Sequence, residues 1–266
     1  MMKKIFTYLF AIAALMIISV AAMAQGGASP FSGSSHGYKV TPEDGSNNTL
    51  LWEILGGSGG DYDVNTTLNG DSINITWNAG SVGKIFTLRF TETTPAPASC
   101  STIKELEIIP VINTFDVNIG TLTDACNNNS GTVSPADSAT STITIPFEME
   151  TGTTWSPGWE VTFTLSVGSS NARIVTVALA SGAGGLLTDL GGGSFSITEI
   201  GSSSGNGLTS IDVDIKGYSF EDVTIDAEIT ASKESAYNTP AVSTGSWLPV
   251  TNTIYKIPDT SGITTD

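Results

Sequence analysis

In "SINITWN", Ile73, Ile75 and Trp77 fall two apart with Asn74 and Thr76 between them. That period places the apolar side chains on one face of a strand and the polar ones on the other. The same alternation recurs in "YKVTP", "LLWEIL", "KIFTLRFTE" and "STIKELEIIP", and these stretches predict half-buried strands between Tyr38 and Pro110. The prolines of "TTPAPASC" exclude a central strand there and predict a loop. Further along, "TFDVNI", "STITIPF", "WEVTFTLSV", "RIVTVAL", "SFSITEI", "TSIDVDI", "DVTIDAEIT" and "NTIYKI" alternate in the same way, with "SGAGGLLTDLGGGS" and "GSSSGNGL" read as connecting turns. Helical spacing is nearly absent after residue 24. The pattern predicts an all-β chain of two β-sandwich domains in tandem, the second an eight-stranded sandwich or jelly roll.

Ahead of these strands, the basic residues Lys3 and Lys4, an apolar run from Ile5 to Val20 and the small-residue ending Ala22-Met23-Ala24 read as a signal peptide over residues 1–24, cleaved before Gln25. No later stretch approaches the roughly 18 to 20 apolar residues of a membrane-crossing helix. Residues 25–35, rich in Gly, Ser and Pro, are expected to be a flexible lead-in; residues 36–111 form the first domain and 112–266 the second, with a polar C-terminal tail. Pro110 alone separates the two patterns, so the domains are expected to abut. One local ambiguity is the glycine run of "NTLLWEILGGSGG", which resembles a phosphate-cradling loop. Such a loop must open a helix, and the following "DYDVNTTLNGDSINITW" has strand alternation and an Asn-Gly turn instead. The glycines are therefore expected to turn one strand toward another.

The stretch "YKVTPEDGSNNTLLWEILGG…GDSINITWNAGSVGKIFTLRFTETTPAPASC" resembles the immunoglobulin-like, PKD-like domains common in exported proteins of Bacteroidota. The residues that carry the likeness are Tyr38 and Val40, Trp52, Ile54, Gly56 and Gly57, Ser72, Ile73, Ile75 and Trp77, Gly83, and Cys100. The resemblance covers about a third of the chain that follows the signal segment. It implies an immunoglobulin fold for residues 36–111, core roles for Trp52 and Trp77, and a surface role as spacer or binding module, often beside gliding-motility and type IX secretion proteins. The C-terminal "YKIPDTSGITTD" carries no type IX sorting pattern, which leaves periplasmic, outer-membrane and released locations open.

Charge narrows the partners. The chain holds 10 basic against 26 acidic residues, a formal charge of −16, and removing Lys3 and Lys4 with residues 1–24 makes it −18. Nucleic acid and anionic lipid are poor partners on that ground, and no nucleic-acid partner is expected. His36, the single histidine, falls in the polar lead-in and is expected to be solvated. A Ser-His-Asp arrangement needs its base held by packing and a third group, which a solvated His36 does not offer, and one histidine with two cysteines argues against a zinc site of the usual four-ligand kind.

Carboxylates remain. If "TSIDVDI" and "TIDAEIT" form a hairpin, Asp212, Asp214, Asp226 and Glu228 share its outer face, where like charges favour a bound calcium ion or full solvation. Asp61 and Asp63 are a weaker calcium pair. Trp155 and Trp159 bracket Ser-Pro-Gly at a strand entrance and are candidates for a ligand platform. Ser138 and Ser72 lie in Asp-Ser-aliphatic triplets that resemble O-glycosylation acceptors of the same bacterial group. Cys100 and Cys126, carried through an oxidising compartment, are expected to form a disulfide, which requires the chain to fold back near Pro110. No cofactor is implied apart from calcium, and oligomeric state is not readable. Together these readings predict a non-catalytic exported protein of the cell surface or envelope, an adhesion, interaction or assembly module whose partner is a surface protein or glycan. The alternative is a carbohydrate-binding or carbohydrate-active protein that uses the second domain.

Overall fold

A computed structural model describes residues 27–127, 138–149, 158–201 and 209–258. Residues 1–24, read above as a signal peptide, Trp155 and residues 259–266 lie outside these residues. The protein is all-β, and it divides into two compact units: one takes in the chain up to Asn113 together with Tyr237–Thr239, the other Thr114–Ala236 and the chain from Pro240.

Unit one is built from two antiparallel three-stranded sheets. The first orders β1 (Ser35–Lys39), β4 (Ser72–Trp77) and β3 (Tyr62–Val64); the second orders β2 (Thr49–Leu55), β5 (Phe86–Thr93) and β6 (Ser101–Ile108). Alternation decides what goes inside. Ile73, Ile75 and Trp77 of β4 pack with Leu50, Trp52, Phe86, Leu88 and Phe90 in one core. Both tryptophans are buried at rings 5.0 Å away, Trp77 against Phe86 and Trp52 against Phe90. Their N–H groups are satisfied: the Trp77 indole donates to the Tyr38 hydroxyl at 3.1 Å, and that of Trp52 to the Gly70 carbonyl at 2.9 Å. Burial pushes the Tyr38 phenol well above its ordinary value, against the opposing hydrogen bond from Trp77.

The segment expected to be a flexible lead-in is tied down from Gly27 onward. The Tyr38 hydroxyl donates to the Gly27 carbonyl, the Ile109 amide to Ala28 and the Val111 amide to Pro30, while the Ser32 amide donates back to Val111. The first described residues of the unit thus find main-chain partners just past β6 and a side-chain partner on β1. His36 is corrected with it. It is 2% exposed, its ring stacks on Tyr237 at 4.2 Å, and its Nε2 lies 2.9 Å from the Ser34 hydroxyl.

Unit two is a sandwich of a four-stranded and a six-stranded sheet. The smaller orders β11 (Arg173–Leu179), β14 (Thr209–Tyr218), β9 (Ser138–Met149) and β7 (Val117–Ile119). The larger orders β12 (Leu186–Gly191), β13 (Ser194–Ile200), β10 (Trp159–Val167), β15 (Val223–Glu234), β16 (Val250–Tyr255) and β8 (Ala125–Cys126). The sheets meet through Phe147 of β9, which lies 4.6 Å from Phe163 of β10, with Phe195 stacked beyond at 5.7 Å. Ten strands are present among the described residues where the sequence predicts eight. The additions are two-residue β8 and β12, whose "LLTDLG" sits between glycines in a stretch read as a turn.

Candidate functional site

The four predicted carboxylates do not converge. Ile211, Val213 and Ile215 do face inward with Val223, Ile225, Ala227 and Ile229, as alternation requires. However, β14 and β15 belong to different sheets, so Ser219–Asp222 crosses from one sheet to the other and does not close a hairpin. Asp212 and Asp214 thus stand on the outer face of one sheet, and Asp226 and Glu228 on the opposite outer face of the sandwich. The shared calcium face is overturned, and no group of three His, Cys, Asp or Glu side chains suited to a metal occurs among the described residues. Threonines bond to three of these acids instead. Thr144 donates to Asp212, Thr142 and Thr176 to the two oxygens of Asp214, each at 2.6 Å, and Thr251 to Asp226 at 2.5 Å. The hydroxyls of Thr142 and Thr176 hold the Asp214 carboxyl below its usual range, which keeps it ionised.

Asp61 and Asp63 are structural as well. Asp61 accepts from the Ser58 amide at 2.6 Å and from Lys84 at 2.7 Å, and Lys84 is the leading cause that lowers its pKa. Asp63 accepts from Asn78 at 2.9 Å. The glycine run is consequently the turn from β2 into β3, closed by Asp61, with Gly56 and Gly57 at positive φ of 91° and 67°. A Cβ on Gly57 would meet the Phe86 ring and lie 2.7 Å from Asp61 Oδ2.

Trp159 cannot be a platform, because it is 0% exposed in the unit-two core. Alternation with Val161 and Phe163 along β10 turns it inward. Trp155 lies outside the described residues. Cys100 and Cys126 are free and exposed, so the expected bridge is absent: Cys100 precedes β6 in unit one, and Cys126 ends β8 in unit two. Ser72 and Ser138 are exposed at the first positions of β4 and β9.

What the sequence did not point to is a slot along one side of unit two. Strand β9 runs twelve residues, yet β7 pairs only with Phe147–Met149. The Gly120 amide donates to the Pro146 carbonyl at 2.9 Å, which fixes the side to which Pro146 points. Residues two apart in a strand point the same way, so the N–H and C=O groups of Thr144, Thr142 and Thr140 face the same side, where no strand among the described residues pairs with them. Opposite them runs the chain from Thr121 to Asn127, whose β8 pairs on its other side with Ile254 and Tyr255. Two adjoining cavities of about 370 and 470 Å³ lie between, lined by Thr140, Thr142, Thr144 and Pro146 on one wall and Thr123, Asp124, Cys126 and Asn127 on the other. The slot is walled by hydroxyls and amides. Asn127 is 8% exposed, its amide nitrogen donates to the Tyr218 carbonyl at 3.2 Å, and its Oδ1 has no partner. Asn252, behind the same wall, donates to the Thr123 carbonyl and likewise leaves its buried Oδ1 unpaired. The only sequence signal was the uncharged run "SATSTITI" without a proline until Pro146, an edge lacking the usual protection.

No known protein family matches the chain, and no curated protein does. Among solved structures the chain is similar to the C-terminal domain of the antigen I/II polypeptide BspA of Streptococcus agalactiae, with 7% identity, a TM-score of 0.28, and 86% of this chain and 95% of that one covered. It is similar also to the C-terminal domain of the antigen I/II-family protein AspA of Streptococcus pyogenes, with 8% identity, a TM-score of 0.27 and coverage of 86% and 95%. A third likeness is to BcpA, the major pilin subunit of Bacillus cereus, at 13% identity, a TM-score of 0.27 and coverage of 85% and 69%. Scores this low convey nothing about activity or ligand.

Proposed function

We propose that the chain is an exported, non-catalytic interaction module of a cell surface or envelope, one that holds a surface protein or glycan without transforming it. The observation that supports this best is the slot beside β9. Among the described residues its lining offers hydroxyls and amides, and includes no histidine and no pair of carboxylates to move a proton. Export rests on the pattern of residues 1–24, and a place among gliding-motility or type IX secretion components rests on the resemblance of residues 38–100 alone.

Two measurements test the reading. Fractionation of the producing cells should find the chain beginning near Gln25 in the envelope or the medium; an intact N terminus retained in the cytosol would sink it. The mature chain should bind immobilised glycans or surface-protein peptides saturably and leave them chemically unchanged by mass spectrometry, whereas cleavage of any bound glycan would move the chain to the carbohydrate-active alternative.

A further inference from the structure

We infer that the partner of this chain is a second copy of itself, which docks the tip of its β12–β13 hairpin, Leu190 foremost, into an apolar socket of unit one between β1 and β6. The inference rests on reading the chain as an interaction module and names the partner. The socket follows from the pairing of β5 with β6. Lys104 stands opposite Phe90 and Leu106 opposite Leu88, so both share the core-facing side of their sheet. Phe90 and Leu88 are buried there, but Leu106 is 43% exposed and Lys104 is exposed as well. A cavity of about 280 Å³ opens beside them, walled by Tyr38, Val40, Trp52, Leu88, Phe90 and Leu106. That is just below the roughly 300–1,000 Å³ of a small-molecule site and suits one aliphatic side chain, the pocket an interface anchor fills.

Charge selects the occupant. In a chain with 26 acidic and 10 basic residues, the socket lining includes two lysines, Lys39 and Lys104. Lys39 lies 3.8 Å from Asp71, and Lys104 joins no ion pair among the described residues. Glu105, also in the lining, is held by Arg89 at 2.7 Å. The matching knob is in unit two. Val175, Leu186, Leu190, Val242, Leu248 and Tyr255 are its exposed large apolar residues, and Leu190 alone adjoins a carboxylate, Asp189. Leu190 is 55% exposed, and the chain turns back directly after it through Gly191, Gly192 and Gly193, all at positive φ. A Cβ on Gly191 or Gly192 would meet nothing within 4 Å, so the tip stands clear and carries no flanking side chain to obstruct a close approach. With Leu190 in the socket, Asp189 comes within reach of Lys104, a match that the uncharged neighbours of Leu248 do not offer. Repulsion between two acidic copies is screened beyond about 8 Å at physiological salt, whereas a pair in contact is screened far less. Knob and socket are different surfaces, so the contact is heterologous and continues from copy to copy unless a ring closes.

Sedimentation velocity of the mature chain at about 0.1 mM should show species beyond the monomer, and Leu190→Ser or Lys104→Glu should each weaken association by at least about tenfold. Both side chains are exposed, so both variants should keep the natural Tm. Mixing the two is the decisive arm. The Leu190→Ser copy retains its socket and the Lys104→Glu copy its knob, so the mixture should form one-to-one pairs and nothing larger. Adding Asp189→Lys to the Lys104→Glu chain should restore self-association. Lys256→Glu, which changes the net charge by the same amount as Lys104→Glu, should leave association intact. A natural chain that stays monomeric at that concentration overturns the proposal, as does association that survives Leu190→Ser or a mixture of the two variants that stays monomeric. A monomeric chain that still binds glycans or surface-protein peptides sinks this proposal alone, and an associating chain retained in the cytosol sinks the reading of export alone.

Discussion

Trp159 was marked for solvent by its neighbours Ser156, Pro157 and Gly158, and it is instead a fully buried side chain of unit two. Trp159→Ala is therefore expected to cost about 3–5 kcal/mol in chemical denaturation, and it cannot serve as a binding test. A glycan platform is tested with Trp155→Ala alone. His36 teaches the converse: its serine and glycine neighbours suggested water, but His36, Tyr38 and Val40 continue one alternating face, and that signal was present in the sequence. Asp61 carries a pH prediction. Lys84 and the Ser58 amide lower its folded pKa, so its contribution is present above the unfolded carboxylate value and disappears as pH falls through the folded one. Thermal melts across the acid range should show stability falling with pH, and Asp61→Asn should flatten part of that slope while lowering Tm at neutral pH. An unchanged slope would remove Asp61 as its source.

At the scale of elements, the turn from β2 to β3 depends on Gly57, since its positive φ and the nearby Phe86 ring and Asp61 carboxylate leave no space for a side chain. Gly57→Ala should lose at least about 1–2 kcal/mol, read by denaturant unfolding. The strands that alternate cleanly were legible because burial of one face imposes the period, as in β4 and β14. Their connections were less so. Alternation places Ile211 and Ile225 inside whether Ser219–Asp222 turns within a sheet or crosses to its partner, and only the crossing puts Asp212 and Asp226 on opposite faces. Strand β12 was hidden by its flanking glycines, and the slot by the shortness of β7, which is a matter of pairing partners and not of composition. From the separated acids it follows that calcium should shift Tm no more than magnesium at equal ionic strength; a calcium-specific rise abolished by Asp212→Asn would restore the metal site.

For the whole molecule, the excess of 26 acidic over 10 basic residues sets the response to salt. Raising sodium chloride from about 0.01 to about 0.15 M shortens the screening length from roughly 30 to 8 Å, so Tm should rise as self-repulsion is relieved. Alkylation of the unreduced chain followed by intact mass should find two modified thiols, because Cys100 and Cys126 are both free. The anchoring of Gly27, Ala28 and Pro30 to Tyr38, Ile109 and Val111 has a consequence for maturation. The expected cleavage point after Ala24 lies only three residues ahead of Gly27, and a processing peptidase needs slack, extended chain on both sides of its target. If the chain is cut there, closing unit one first should remove that slack: precursor allowed to fold before it meets the peptidase should be cut far more slowly than precursor presented unfolded, and the hydrogen bonds at Gly27 and Ala28 would then set the order of cleavage and folding.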